Sequence, residues 1–159
     1  MRRIKFFLIP VLAIVLASCA TNSSKSISVN LAPVPYAIEV ESDIAKRLSV
    51  EDLGSDLSNV FSMQAKQAGA ISQVRINYKA DDGSIHGFAV VYFFAKADFD
   101  KTLNPNEPPL YGSKVLEKSG MVLAIAGPQD SIFEPTTQDG KNISALYVLV
   151  YDPKSFKSS

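Results

Sequence analysis

The chain is poor in the side chains that most often carry chemistry. Its 159 residues include one cysteine, one histidine and no tryptophan. A single cysteine cannot form an intramolecular disulfide, and a single histidine cannot supply the histidine pair of many zinc sites. The sequence therefore predicts no metal site and no bound cofactor.

An excess of basic charge is also missing. Lysine and arginine total 16, as do aspartate and glutamate, and no basic stripe of the kind that binds nucleic acid is visible. Arg2, Arg3 and Lys5 all lie in a leader segment without acidic residues, so the rest of the chain is slightly acidic. We therefore expect no nucleic-acid partner.

The one long apolar run lies close to the start of the chain. It covers residues 6–17, carries no charge and follows the three basic side chains of the leader. A helix that spans a bilayer needs about 20 apolar residues, so this run is too short. A basic start, a short apolar core and small residues after it are typical of a secretory signal peptide.

The end of this leader, Leu16-Ala17-Ser18-Cys19, resembles the lipobox of bacterial lipoproteins, which has a leucine, two small residues and an invariant cysteine. The resemblance implies cleavage between Ser18 and Cys19, a diacylglyceryl group on the Cys19 sulfur, and often further acylation, for example by palmitate. Two or three acyl chains, at about 0.8 kcal/mol per buried methylene, hold a protein firmly on a membrane. The resemblance covers only the leader.

The residue after the cysteine bears on the location of the protein. Lipoproteins kept at the inner membrane of double-membrane bacteria typically carry aspartate there, whereas this chain has Ala20. The resemblance therefore implies a lipid anchor in the cell envelope, with the periplasmic side of the outer membrane favoured. In a single-membrane bacterium it implies the outer face of the plasma membrane. An ordinary signal peptide and a short membrane anchor are the alternatives.

Composition divides the chain into three segments. Residues 1–18 form the signal peptide, and residues 19–32 are small and polar, which is typical of a flexible tether. Residues 33–159 have a length close to that of a usual single domain. We therefore expect one domain behind a tether.

Alternating apolar and polar residues predict several strands in this domain. The run at 85–95 is apolar on both faces, which predicts a strand in the middle of a sheet, and Asp82-Gly83 predicts the hairpin before it. Pro35 has no backbone N–H to donate, so we expect the first strand to begin the sheet or to lie at its edge. The predicted strands cover residues 34–40, 74–78, 85–95, 115–116, 121–126 and 146–151, and Ser119-Gly120 predicts a second hairpin turn between 115–116 and 121–126.

Apolar residues three and four apart predict the main helix at about 50–68, with Gly54 as a point where it could divide and Ser55 as a cap of the longer piece. Residues 96–112 are predicted as a long loop, and 129–140 as irregular, with Ile132 and Phe133 packed at a core edge. Strands gathered after one helix indicate an α+β fold, with an antiparallel sheet of about five strands and one main helix on one face.

Two sets of polar residues contain residue types that are common in functional sites. His86, Ser84 and Asp81 or Asp82 include the residue types of a catalytic triad, but all lie in one hairpin, where such residues are common for reasons of turn geometry. The alternate residues from 98 to 104 offer oxygen ligands for calcium. An EF-hand loop needs glycine at its sixth position and glutamate at its twelfth, and here these are Leu103 and Pro109.

The segment from Pro108 to Gly112 is the most function-like part of the domain. Its prolines hold it extended, so Leu110 and Tyr111 could contact a protein partner. Alternatively, the segment is a stiff connector and both side chains pack on the core.

Taken with the leader, these patterns predict a membrane-anchored envelope lipoprotein with a non-catalytic α+β domain, which binds a protein or another envelope component. The alternative is an immunity or inhibitor lipoprotein that acts against a secreted enzyme or toxin. A hydrolase would need a cleft that holds His86 beside a nucleophile.

Overall fold

The computed structural model describes residues 25–55, 59–127 and 133–159. In these residues the strands are β1 (Ser26–Asn30), β2 (Tyr36–Glu41), β3 (Leu48–Asp52), β4 (Ala70–Lys79), β5 (Ile85–Ala95), β6 (Ser113–Lys118), β7 (Met121–Ala126) and β8 (Phe156–Ser158). The helices are α1 (Ser42–Ala45), α2 (Val60–Gln67), α3 (Lys96–Lys101) and α4 (Gln138–Tyr151).

The strands form two antiparallel sheets, which confirms the predicted α+β class. The larger sheet has the order β3-β4-β5-β7-β6, and the smaller one has the order β1-β2-β8. β5 is the middle strand of the larger sheet, as its two apolar faces predict. Pro35 directly precedes β2, so its missing N–H costs no hydrogen bond of the ladder.

The five-stranded sheet buries a cluster of apolar side chains on each face. The larger cluster joins this sheet to α4 and to the three-stranded sheet, with Ile38, Leu123 and Leu146 among its members. The smaller cluster lies under α2, α3 and the segment that precedes β6, and includes Phe94 and Phe99. The longest helix, α4, therefore packs on one face of the sheet.

Both predicted hairpins are confirmed. β4 pairs with β5 across Asp82-Gly83, and β6 pairs with β7 across Ser119-Gly120. Ser119 and Gly120 have φ angles of 52° and 75°. Two successive positive φ angles are the conformation of a two-residue turn that matches the twist of its strands.

The predicted main helix at 50–68 is wrong in its first part. Residues up to Asp52 belong to β3, and the Asp52 carboxylate accepts a hydrogen bond of 2.8 Å from the Gly54 N–H, which turns the chain. The helix begins only at Val60, where the Asn59 side chain accepts hydrogen bonds from the N–H groups of Phe61 and Ser62. The apolar residues that predict a single helix at 50–68 therefore belong partly to β3 and partly to α2. Ser55 is not the cap, and residues 56–58 of the predicted helix lie outside the described residues.

The predicted strand at 146–151 is wrong, because these residues form the end of α4. Their β-branched and aromatic side chains favour a strand locally. The Thr137 side chain, however, caps a helix by accepting a hydrogen bond of 3.0 Å from the Gly140 N–H. Ile143, Leu146 and Val150 then share one buried helical face, and their burial outweighs the local preference.

Two further segments are more ordered than their composition predicts. Residues 26–30, assigned to the tether, form β1 on the edge of the smaller sheet, where backbone bonds to β2 hold a largely exposed, polar strand. The folded part therefore includes residues before the predicted boundary at 33. Within the predicted loop at 96–112, residues 96–101 form α3, which the buried Phe99 holds to the sheet.

Candidate functional site

The lipobox residues, including Ser18 and Cys19, lie outside the described residues, as does the start of the predicted tether. The first described residue is Lys25, one residue before β1. No helix within the described ranges is long and apolar enough to cross a membrane. The lipid anchor on Cys19 therefore stays a prediction from the sequence.

The hairpin between β4 and β5 brings His86, Ser84 and Asp82 together, but in an order that differs from a catalytic triad. The Ser84 hydroxyl lies 2.5 Å from the Asp82 carboxylate and 2.6 Å from His86 Nε2. The Ser84 hydroxyl and its backbone N–H lower the pKa of Asp82 below its usual value. Asp82 is therefore an acceptor, the single hydroxyl proton points to it, and His86 Nε2 donates to Ser84 Oγ.

This direction of proton donation matters for chemistry. A histidine that activates a serine accepts the serine proton, while an acid orients the other ring nitrogen. Here the Ser84 hydroxyl donates its hydrogen bond to the Asp82 carboxylate and not to His86, so the three residues do not form the relay of a triad. The His86 ring packs edge-on against Phe133 at a centroid distance of 5.2 Å, which fixes it at the hairpin. The arrangement is that of a stabilised turn.

A second polar cluster joins the first turn of α4 to the other side of this hairpin. The Tyr78 hydroxyl donates to Asp139 Oδ1 at 2.7 Å and accepts from Asn142 Nδ2 at 2.9 Å. The Asp81 N–H donates to Asp139 Oδ2 at 3.0 Å. Arg47 completes the cluster, with Nη1 3.3 Å from Asp139 Oδ1 and Nη2 paired with Asp81.

Opposing effects act on the two buried ionisable groups of this cluster. Burial alone would raise the pKa of Asp139, but the Asp81 N–H, the Tyr78 hydroxyl and the Arg47 charge bring it below its usual value. Burial raises the pKa of Tyr78, which keeps its proton available for donation. Each side chain of the cluster hydrogen-bonds another member, so we assign the cluster to holding α4 in place.

Sequence reasoning missed this cluster. Its members are far apart in the chain: Arg47 lies in the turn between α1 and β3, Tyr78 on β4 and Asp139 on α4. The available signal was the spacing of Asp139, Asn142 and Leu146, which places two polar residues on the apolar face of one helix. That signal is lost when the end of the segment is interpreted as a strand.

The oxygen donors considered for calcium do not converge. Asp98 and Asp100 lie on α3 and pair with Lys101 and Lys96 respectively. Thr102 Oγ1 donates to the Phe99 carbonyl at 2.7 Å. Nowhere in the described ranges do three side chains of the types His, Cys, Asp and Glu lie close enough to hold a metal ion.

A groove of about 480 Å³ lies between the end of α2, α3 and residues 102–111, and we call it the α2–α3 groove. Gln67, Lys101 and Leu110 line it. Leu110 is 70% exposed, whereas Tyr111 is 6% exposed and contacts the core. The Tyr111 ring lies 5.3 Å from that of Tyr92 and 5.5 Å from that of Phe94, between centroids.

The structure thus separates the two residues proposed as partner contacts. Tyr111 packs inward, as in the connector interpretation, and Leu110 points to solvent beside the groove. Burial raises the pKa of Tyr111, so its hydroxyl stays protonated near neutral pH. The groove also carries the ion pair between Asp98 and Lys101, with 2.6 Å from Asp98 Oδ1 to Lys101 Nζ. An exposed leucine beside such polar groups is the mixture of apolar and polar surface that is typical of protein interfaces.

Two glycines fix the shape of this groove. Gly69, with φ +98°, ends α2 against α3, where an added Cβ atom would lie 2.9 Å from Asp98 Cβ. Gly112, with φ +77°, brings the other wall against β7, where an added Cβ atom would lie 2.0 Å from the Ile125 carbonyl oxygen. Both close approaches need a residue without a side chain.

A second cavity, of about 460 Å³, lies where the smaller sheet meets the start of β4. Pro33, Pro35 and Phe93 give it apolar walls, and Ser72 lies at its margin. Within the described ranges, the buried Ser72 Oγ has no hydrogen-bond partner. Ile71 also lines this cavity and is 61% exposed, compared with 70% for Leu110.

No protein-family model, curated protein or solved structure matches this chain.

Proposed function

We propose that this chain is a lipid-anchored protein of the bacterial cell envelope, and that its α+β domain is a non-catalytic module that binds a protein partner through the α2–α3 groove. The tetrapeptide Leu16-Ala17-Ser18-Cys19, with the only cysteine of the chain, carries the anchor part of the proposal. The exposed Leu110 beside the groove supports the binding part.

The proposed anchor would hold the domain close to the membrane. Six residues lie between Cys19 and Ser26, the first residue of β1, so seven Cα–Cα steps join the two. Even when fully extended, they span at most about 25 Å. Because β1 belongs to the folded part, the tether is shorter than composition predicts. A partner would therefore be another protein of the envelope, or one that reaches the membrane surface.

The anchor is tested by Cys19→Ala in the full chain. We expect the native protein in the membrane fraction with acyl chains on Cys19, detected by mass spectrometry. Cys19→Ala should carry no acyl chain and should leave that fraction. Ser18→Ala, which keeps a small residue before the cleavage site, is the matched control and should behave like the native chain. Membrane association of Cys19→Ala with the leader removed would refute the anchor.

The binding surface is tested by placing a photo-crosslinking residue at position 110 of the full chain in intact cells. The control position is 148 on α4, because Val148 is 69% exposed and Leu110 is 70% exposed. We expect a discrete protein adduct at 110 that is absent at 148. Identical adduct patterns at the two positions would contradict the proposal that the α2–α3 groove binds the partner. An adduct with a secreted enzyme or toxin would favour the immunity alternative.

A further inference from the structure

β1 is an edge strand of the smaller sheet, and no strand among the described residues pairs with its outer edge. In the described part of the chain it pairs only with β2. The Leu31 N–H donates to the Tyr36 carbonyl at 3.0 Å, and the Ser42 N–H donates to the Lys25 carbonyl at 2.9 Å. With the pairing register, these bonds show that the odd-numbered residues of β1 direct their backbone N–H and C=O groups to β2. In an antiparallel ladder the alternate residues, Ser26, Ser28 and Asn30, then point their N–H and C=O groups away from it.

The other three sheet edges carry features that discourage pairing with another chain. β3 has two acidic residues, Glu51 and Asp52. β6 has three charged residues and an irregularity between Lys114 and Leu116. β8 has only three residues, one of them Lys157. Charges, bulges and short length are the usual protections of edge strands.

β1 has none of these protections. Its sequence, Ser-Ile-Ser-Val-Asn, contains no charge and no proline, and every residue except Val29 is exposed. It is regular over five residues in its pairing with β2. Unprotected edges of this kind are templates for a further strand, and their retention next to three protected edges indicates that this edge is used.

We propose that β1 pairs with β1 of a second copy of this chain, in antiparallel orientation about a twofold axis at Ser28. Ser28 would lie opposite its own copy, and Ser26 opposite Asn30. All three are residues whose backbone groups point outward, so this register uses every free donor and acceptor of the edge. The two three-stranded sheets would become one continuous sheet.

Charge and symmetry fit a second copy. Because β1 is uncharged, no like charges meet across the axis, and the flanking Lys25 would lie opposite Leu31 of the second copy. A twofold interface closes on itself and leaves no further edge of β1 open. The pairing does not depend on the proposed lipid anchor, although confinement to a membrane would raise the effective concentration of the two copies.

The first test is the mass of the full chain in detergent, measured by light scattering over a range of concentrations. We expect a dimer for the native chain and for Ser28→Val, which keeps the backbone N–H. Ser28→Pro removes only the outward N–H, because the bonds to β2 come from odd-numbered residues. It should weaken the dimer about tenfold or more, since two symmetric hydrogen bonds are lost and the proline rings collide.

A second variant tests the same contact in case Ser28→Pro impairs folding. Ser28→Lys keeps the backbone unchanged and places two like charges opposite each other, so it should also favour the monomer. Circular dichroism should show native helix and strand content in all three variants. A native chain that is monomeric at every concentration, or a dimer that neither Ser28→Pro nor Ser28→Lys weakens, overturns the proposal.

The register is tested by disulfide trapping in intact cells. Ser28→Cys should form a crosslinked dimer under mild oxidation, because the two Cα atoms would be about 5.5 Å apart. Lys25→Cys should not, because in this register its two Cα atoms would be about 20 Å apart. Equal crosslinking at both positions overturns the proposed register. Crosslinking of the parent chain would report a free Cys19 thiol and would count against the lipid anchor alone.

Discussion

Buried polar residues of this domain differ sharply in how well they are satisfied. Asp139 and Asn142 make hydrogen bonds within the cluster that includes Tyr78. By contrast, Ser62 Oγ, Ser72 Oγ and Gln73 Oε1 are buried and have no hydrogen-bond partner among the described residues. A buried hydrogen bond contributes modestly to stability, whereas an unpaired buried group costs its desolvation energy. The first set therefore holds α4 to the hairpin, and the second set lowers stability around α2.

Replacing Ser62 by alanine should therefore stabilise the domain. The change removes an unpartnered hydroxyl from a residue that is 4% exposed, and alanine is the better helix former. We expect the free energy of unfolding in urea to rise by about 1 kcal/mol. The matched control is Ser144→Ala on α4, where the exposed hydroxyl donates to the Gly140 carbonyl at 2.8 Å. That change should stay within about 0.5 kcal/mol.

A loss of stability in Ser62→Ala, relative to Ser144→Ala, would mean that the Ser62 hydroxyl has a partner after all, such as a bound water. The comparison keeps the type of substitution and the helical context constant. It therefore isolates the cost of burying a hydroxyl that makes no hydrogen bond.

Among the secondary-structure elements, those governed by local chemistry were predictable from the sequence. The hairpins at Asp82-Gly83 and Ser119-Gly120 need specific turn residues, and the two apolar faces of β5 indicate its central place. α4 was not predictable from composition, because its apolar residues favour a strand until the cap at Thr137 is recognised. β1 was missed because backbone pairing, and not apolar burial, holds it.

The candidate site divides in the same way. The prolines around Leu110 identify an extended segment, but the sequence left open whether Leu110 and Tyr111 contact a partner or pack on the core. The two side chains differ because Tyr111 fits against the rings of Tyr92 and Phe94 on another element, which only the folded chain brings near. The groove itself depends on Gly69 and Gly112, whose close contacts with α3 and β7 exist only in the folded chain.

Gly112→Ala should lower the stability of the domain far more than Gly120→Ala. Both glycines have φ near +75°, so alanine pays about 1 kcal/mol of conformational strain at either position. At Gly112 the added Cβ atom would also collide with the Ile125 carbonyl, whereas at Gly120 nothing lies within 4 Å. We expect Gly112→Ala to lose at least about 2 kcal/mol more, measured by thermal unfolding. Equal losses would show that the groove wall can move away from β7.

On the scale of the whole molecule, β5 couples the two apolar clusters. Its neighbouring residues Phe93 and Phe94 point to opposite faces of the sheet. The Phe93 ring lies 6.0 Å from that of Tyr36 in the larger cluster, and the Phe94 ring lies 5.8 Å from that of Phe99 in the smaller one. β7 does the same through Val122 and Leu123. Neither cluster can lose its packing without disturbing strands that the other one needs.

The domain should therefore unfold in one cooperative step, and damage to either cluster should move that whole step. Leu146→Ala in the larger cluster and Phe99→Ala in the smaller one should each cost about 2–5 kcal/mol. Val148→Ala is the control, because Val148 is 69% exposed on the same helix as Leu146, and it should cost less than about 0.5 kcal/mol.

Far-ultraviolet circular dichroism reports the backbone, and near-ultraviolet signals report buried tyrosines in both clusters, namely Tyr78 and Tyr92. The two signals should give coincident transitions in all three variants. If Phe99→Ala instead produced an early tyrosine transition while the backbone signal kept its native midpoint, the smaller cluster would unfold independently, and the coupling through β5 would be refuted.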